Sequence, residues 1–328
     1  MKSLYIFSGG ILSRKDNTLF LESQEGKKFL PIENTRELFI YGEIDLNKRL
    51  LEFLTKQGIC IHFFNFYGYY IGSYYPREHF NSGHLILQQA RHYLDSNLRK
   101  DLAHRFVRGS AENILQVLRY YSPQYPELNE QIDLIQCLLD TVEDAPDIHS
   151  LMGIEGNIRD YYYSSFHPLI SEYGFSFEGR SRRPPKTPLN ALISFGNSMM
   201  YATILSEIYQ THLDPRIGYL HATNFRHFSL NLDIAEVFKP LIVDRTIFSV
   251  IRNREIREED FVKESQGLLL RETAKKVFVR RYDEHLESTF HYKNIGKVSY
   301  RRAIRLELYK IEKHLLGDIK YEPFKSRW

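Results

Sequence analysis

The chain has 328 residues, of which 43% are hydrophobic and 26% charged, and its formal net charge is +3. That profile belongs to a globular protein with a real core, long for one domain and comfortable for two. No whole-molecule field imposes nucleic-acid binding, so such a role has to come from local basic patches. Two cysteines, Cys60 and Cys137, are too few for a disulfide framework or a cysteine zinc site.

The first 17 residues, "MKSLYIFSGGILSRKDN", lack an apolar run long enough for a secretory signal. "SLYIFS", "NTLFLES", "KKFLPIE" and "ELFIYG" predict short strands, rich in β-branched and aromatic residues and separated by glycine, asparagine and charge. A helix follows over "LNKRLLEFLTKQ", with Asp45 as the expected N-cap and Gly58 as the stop. "ICIHFFNFYGYYIGSYY" reads as a hairpin turning at Asn65–Gly68. The texture changes at "PREHFNSGH", where Ser82 can cap a helix.

From Leu85 the pattern is helical: 85–108, 110–121, 129–142, 150–173, 188–210, 232–254, 258–264, 269–290 and 298–316. The stretch 188–209 is the most apolar, but Asn190, Ser194, Asn197, Ser198 and Glu207 mark it as a buried helix of a soluble protein. The closing "YEPFKSRW" reads as a loose tail. The expected fold class is α+β: a small N-terminal β-rich domain (1–76), a linker (77–84) and a larger all-α domain (85–328).

"SLMGIEGNIRDYYY" sets Glu155 between Gly153 and Gly156, as though other groups must approach it closely. Asp233 and Glu236, three apart in "LNLDIAEVFK", share one helical face. His221 precedes them through a polar stretch that lets it fold back. One imidazole with two or three carboxylates and no thiolate suits Mg²⁺ or Mn²⁺. The spacing is equally that of surface chemistry: Glu155 and Arg159 form a favourable i,i+4 pair, and Asp233 and Glu236 complement a helix dipole. His212, His227, His285 and His291 lack acids in ligand-like positions. No nucleophile elbow is present.

Among basic clusters, the proline-braced loop with Arg180, Arg182, Arg183 and Lys186 differs from a solvated helix face and suits phosphate contact. Arg91 and Arg105 belong to a second cluster, and further ones surround Lys275 and Arg301. Asn190 and Asn197 lie on one face of the buried helix. They either satisfy neighbouring polar groups or stand behind a metal site.

"LMGIEGNIRDYYY", "RRPPKTPLNALISFGNSMMY", "THLDPRIGYLHATNFRHFSLNLDIAEVFKPLIVDR" and "FFNFYGYYIGSYYPRE" together resemble CRISPR-associated protein one, the nuclease-integrase of spacer acquisition. The resemblance covers nearly the whole chain. It implies a β domain that drives homodimerisation and a helical domain with one Mg²⁺ or Mn²⁺ per site, held by Glu155, His221 and Glu236, which are also the catalytic residues. The family often has aspartate where Glu236 stands and an aromatic where Asn197 stands. Asp233 and Lys239 match accessory positions, and Asn190 stays open. The implied activity is metal-dependent DNA cleavage and joining of the 3′-hydroxyl of short fragments to a repeat array, in the cytoplasm and with no membrane involved. The implied partners are DNA and a small ferredoxin-like protein that bridges two dimers. A non-catalytic nucleic-acid-binding scaffold and a stand-alone nuclease on branched DNA or RNA are the alternatives.

Overall fold

The computed structural model describes residues 2–326 except 77–79, 81, 178, 182–183, 223–227, 265–266 and 293–294. The chain divides into two compact units, Met1–Asn81 and Ser82–Trp328.

The first unit holds two four-stranded sheets. Strands β1 (Lys2–Ile6), β5 (Thr35–Ile40), β7 (Cys60–Phe64) and β8 (Tyr70–Tyr74) form one, in that order. Its first two pairings are parallel and the last is antiparallel. The other runs β4 (Gly26–Leu30), β3 (Thr18–Ser23), β2 (Gly10–Lys15), β6 (Ile44–Leu46). Helix α1 (Lys48–Gln57) starts at Asn47, whose Oδ1 accepts from the Leu50 amide at 3.0 Å, so the cap lies two residues beyond the expected Asp45. Gly58 ends it at φ +66°, a left-handed conformation open to glycine. Leu50, Phe53 and Leu54 of α1 share a core with Leu12, Leu19, Leu38, Ile40 and Ile61. Alternation along the strands thus resolves into one apolar layer under the helix. Asn65 closes the expected hairpin, its side chain accepting from the Tyr69 amide at 2.9 Å.

The second unit is mostly helical. Ser82 caps α2 (Gly83–Leu94) by accepting from the Leu85 amide at 3.2 Å. Asp95 then caps α3 (Ser96–Tyr121), which runs unbroken through Gly109 instead of stopping there. A Cβ at Gly109 would lie 2.4 Å from Pro323 Cβ, so this glycine serves a close approach, not a break. There follow α4 (Leu128–Asp140), α5 (Ile148–Ser164), α6 (Phe166–Ile170), α7 (Pro188–Tyr209), α8 (Leu230–Lys239) and α9 (Arg245–Arg252). A π-helical turn, Pro240–Asp244, joins α8 to α9. Thr187 caps α7, Pro188 occupies its first turn, and the helix is buried along most of its surface, with Ser194, Asn197 and Tyr201 half-buried on one face.

Two corrections concern the expected all-α domain. Residues 258–264 form a short 3₁₀ turn and strand β9 (Phe261–Glu264), which pairs with β10 (Gly267–Leu270). After α10 (Glu272–Glu287), a second hairpin pairs β11 (Thr289–Tyr292) with β12 (Gly296–Ser299), before α11 (Tyr300–Leu315). Four-residue strands are too short to show a period of two, so they merge into the flanking helical patterns. Nor is the tail loose. Tyr321 is 0% exposed and Phe324 5%. Buried Glu307 accepts from the Tyr321 hydroxyl (2.6 Å) and the Phe324 amide (2.7 Å), while Asn113 Oδ1 accepts from the Ser326 amide (3.0 Å).

A candidate metal and nucleic-acid site

Helices α5 and α8 bring Glu155 and Glu236 to one guanidinium. Arg159, one turn after Glu155, donates Nε to Glu155 Oε1 (3.2 Å) and Nη2 to Glu236 Oε2, to the Glu236 carbonyl (3.2 Å) and to Ser110 Oγ on α3 (3.2 Å). The carbonyl contact has a sequence cause. Pro240 lacks the N–H that would close the helical bond to residue 236, so the Glu236 carbonyl is left for Arg159. Lys239 donates Nζ to Glu236 Oε1 at 2.5 Å.

His221 folds back as expected. Its Nδ1 lies 2.8 Å from Asp233 Oδ1, and the same carboxylate accepts from the amides of Tyr219 (2.5 Å), Leu220 (3.2 Å) and His221 (2.9 Å). Asp233, fully buried, is therefore the group that fixes the imidazole's orientation and leaves Nε2 facing away from it. This is more than the accessory place the sequence suggests.

The charges are coupled. Burial, then repulsion from Glu236, raises the Glu155 carboxyl above its usual range, against the pull of Arg159, Lys239 and His221. Burial opposes ionisation of Glu236 too, yet Arg159 and Lys239 outweigh it and hold the group well below the carboxylate range. For His221, desolvation lowers and the Asp233 hydrogen bond raises; the net direction is up. Behind the cluster, burial pushes Asp244, in the π turn, up to about 6.

The donor set agrees with a hard divalent ion in part. Glu155 Oε2 and His221 Nε2 have no hydrogen-bond partner among the described residues, whereas both Glu236 oxygens are taken by cations. Among those residues no three acidic, histidine or cysteine side chains stand close enough to hold a metal. The oxygen and imidazole chemistry suits Mg²⁺ or Mn²⁺, with Glu236 shared with Arg159 and Lys239. A Cβ at Gly153 or Gly156 would meet nothing within 4 Å, so the close approach expected of these glycines is not one made by the described protein itself.

A family model described as "CRISPR associated protein Cas1" matches residues 4–284. The chain belongs to the Cas1 family. The "CRISPR-associated endonuclease Cas1 2" of Thermodesulfovibrio yellowstonii is 57% identical over 100% of this chain and 99% of its own length. The "CRISPR-associated endonuclease Cas1" of Thermotoga maritima is 49% identical, covering 97% and 98%. A solved Cas1 protein from the latter organism superposes with a TM-score of 0.88 at 47% identity over all of both chains. A structure titled "Casposase bound to integration product" reaches a TM-score of 0.87 over 100% of this chain and 96% of that one, but at 21% identity it shows the fold alone.

The remaining sequence candidates in this Cas1 chain separate. Arg180 turns inward, donating to Asn190 Oδ1 (2.9 Å) and Ser194 Oγ (3.1 Å). Asn190 completes a clamp on the loop, accepting also from the Ser181 amide (2.9 Å) and donating to the Gly179 carbonyl (2.9 Å). Of the two roles open to Asn190, these bonds are those of a loop anchor. Arg182 and Arg183, with His227, lie outside the described residues. Lys186 and Arg91 are exposed. Arg105 is engaged inside the protein, with Asp101 at 3.1 Å, Glu322 at 2.9 Å and the Tyr321 carbonyl at 2.5 Å, where it pins the tail. By its spacing Arg159 is only a surface partner of Glu155, whereas in the structure it bridges Glu155 and Glu236. Pro240, four residues after Glu236, was the available sign that a donor from elsewhere is needed there.

Proposed function

We propose that this Cas1 chain is a divalent-metal-dependent DNA endonuclease that also joins 3′-hydroxyl ends to a repeat array during CRISPR spacer acquisition. The observation that supports this is the gathering of Glu155 and Glu236 on Arg159, with Asp233-braced His221 near enough for its charge to act on both carboxylates. It occurs in a chain whose curated relatives are named endonucleases. Glu155, His221 and Glu236 would hold the ion. When bound, the ion supplies charge to a phosphoryl oxygen and activates an attacking water or 3′-hydroxyl.

The chain's own groups do the rest. Asp233 holds one imidazole tautomer. Arg159 keeps two carboxylates from helices α5 and α8 together despite their repulsion. Burial lowers and Glu236 raises the Lys239 ammonium, with a net upward direction, so Lys239 stays charged and can sit beside a phosphate. A homodimer formed through the β unit, a small ferredoxin-like partner bridging two dimers, and action in the cytoplasm belong to the same proposal. No helix of the described residues is long and apolar enough to cross a membrane.

One observation favours a second reading, a non-catalytic nucleic-acid-binding scaffold: Glu236 is already saturated by two cations. Nicking and joining of branched DNA in Mn²⁺, Mg²⁺ and EDTA, with wild type beside Glu155→Ala, separates the two. The proposal expects activity only in wild type with metal, and DNA binding in both. Metal-dependent activity retained by the variant removes Glu155 from the site. Wild type inactive even with the partner protein present leaves the scaffold reading.

A further inference from the structure

Glu236 and Asp244 stand eight residues apart on one helical rod, with the π turn between them. A π turn holds one residue more than an α turn, so an α turn followed by a π turn takes about eight residues and returns the chain to the same face. In an unbroken α-helix Asp244 would point about 80° away from Glu236. The turn thus brings a second carboxylate of the rod round to the side where Arg159 of α5 lies. Burial opposes the Asp244 charge most, and of the charges that act on it Arg159 is the largest, ahead of Lys239 and Glu236.

Three buried polar atoms of this region have no hydrogen-bond partner among the described residues: Arg159 Nη1, Asp244 Oδ2 and the Tyr162 hydroxyl. Such atoms are rare in protein interiors, and each calls for a cause. A guanidinium is a planar fork of five N–H donors. Here its Nε and Nη2 serve Glu155, Glu236 and Ser110, and only Nη1 is uncommitted. Tyr162 follows Arg159 by three residues on α5 and so shares its face. Its hydroxyl comes near enough to act on Asp244 but closes no hydrogen bond of normal geometry. Arg159 is therefore tied along one edge, with a carboxylate of unspent capacity within reach of its charge.

The other edge explains what that capacity is for. Both Glu236 oxygens are taken by cations, so a divalent ion binding Glu155 and Glu236 competes with Arg159 for the same carboxylates. A guanidinium turned off them inside the protein needs another acid, since an unpaired buried charge is strongly destabilising. We propose that Asp244 is a positioning residue of the metal site: it receives the Arg159 guanidinium when a divalent ion takes over Glu155 and Glu236. The proposal rests on the metal reading given above and deepens it by naming where the displaced positive charge goes. Asp244 touches neither ion nor DNA and acts through Arg159.

The test is calorimetric titration of Mn²⁺ onto the full chain without DNA, with a thermal melt of each metal-free protein at pH 7. Wild type, Asp244→Asn, Asp244→Glu, Arg159→Gln and the Asp244→Asn/Arg159→Gln double variant are compared. Asp244→Asn is expected to weaken Mn²⁺ binding about tenfold. It should melt no earlier than wild type, because burial disfavours the carboxylate it replaces. Asp244→Glu keeps the acceptor and should bind Mn²⁺ more tightly than Asp244→Asn. With Arg159 already replaced, Asp244→Asn should change the affinity no further, which is the coupling a double-mutant cycle reads. Should Arg159→Gln fail to fold, the contrast between Asp244→Asn and Asp244→Glu decides. Wild-type affinity in Asp244→Asn overturns the proposal and leaves the metal reading standing. The same loss from Asp244→Asn in both backgrounds overturns it too, since Asp244 would then act without Arg159. Equal losses in the Asn and Glu variants, both melting early, make Asp244 a packing residue only. A wild type that takes up no Mn²⁺ removes the metal reading and this proposal with it.

Discussion

Two buried carboxylates in the helical unit are each gripped by a pair of cations, and they lead to opposite conclusions. Glu207 of α7, 1% exposed, is held by Arg301 (3.4 Å) and by Arg305, whose Nε donates at 2.6 Å. Arg301 is in turn 3.0 Å from Glu287, so its second carboxylate is one at the surface. Glu236 of α8 is held by Arg159 and Lys239, but there Arg159 reaches a second carboxylate, Glu155, and a histidine stands close enough to shift with them. The first cluster closes α7 onto α11. In the second, Glu155 Oε2 and His221 Nε2 remain without a protein partner among the described residues. A buried ion pair by itself says nothing of function; uncommitted donor atoms beside it do.

The largest expected effect treats the two alike. Glu207→Ala and Glu236→Ala each remove a buried carboxylate shared by two cations and should cost about 3–5 kcal/mol of stability by denaturant unfolding. Only the Glu236 variant should also lose Mn²⁺ binding in calorimetric titration of the remaining folded protein. If Glu207→Ala loses it as well, the distinction between the clusters fails. Next, Asp233→Asn should weaken Mn²⁺ affinity about 10–100-fold through a misoriented His221, an effect with no counterpart around Glu207.

A pH titration then separates both clusters from His285 of α10. The folded pKa of His285, about 3, lies below the usual histidine value of about 6.5, so its contribution is full above pH 6.5 and is lost as pH falls towards 3. At pH 5 this group alone should leave wild type about 2 kcal/mol less stable than at neutrality. His285→Gln should flatten that limb in thermal melts at pH 7, 6 and 5. The smallest effect sharpens the comparison most. Glu155→Ala leaves Arg159 paired with Glu236 and should change stability by no more than about 0.5 kcal/mol, although it is placed at the centre of the chemistry.

The stop of α1, the cap of α2 and the buried helix were legible because their signals are local. Gly58 and Ser82 act within a few residues of where they stand. Strand β2, "GILSRK", was missed because its pairing with β3 and β6 supplies what its composition lacks. The tail was misjudged for a related reason. Its burial depends on Glu307 and Asn113, and the latter is 213 residues from Ser326. At the site, the Glu155–Arg159 spacing was readable, while the reach of Arg159 across 77 residues to Glu236 was not. No local pattern encodes a contact between helices, although Pro240 marked the carbonyl that needed one.

That proline begins the π turn, and the turn has a consequence for both faces of one rod. Residues 230–239 present Asp233, Glu236 and Lys239 to the carboxylate cluster, and residues 245–252 present Arg245, Ser249 and Arg252 to a groove also lined by Tyr121 of α3 and His285 of α10. A π turn holds one more residue than the α turn it replaces. Deleting a single residue within 240–244 should relax it to α-helix and rotate the second set against the first by about 100°, one residue's share of a 3.6-residue turn. The five residues of "PLIVD" thus act as an angular spacer: they fix the rotational phase between the two sets of side chains.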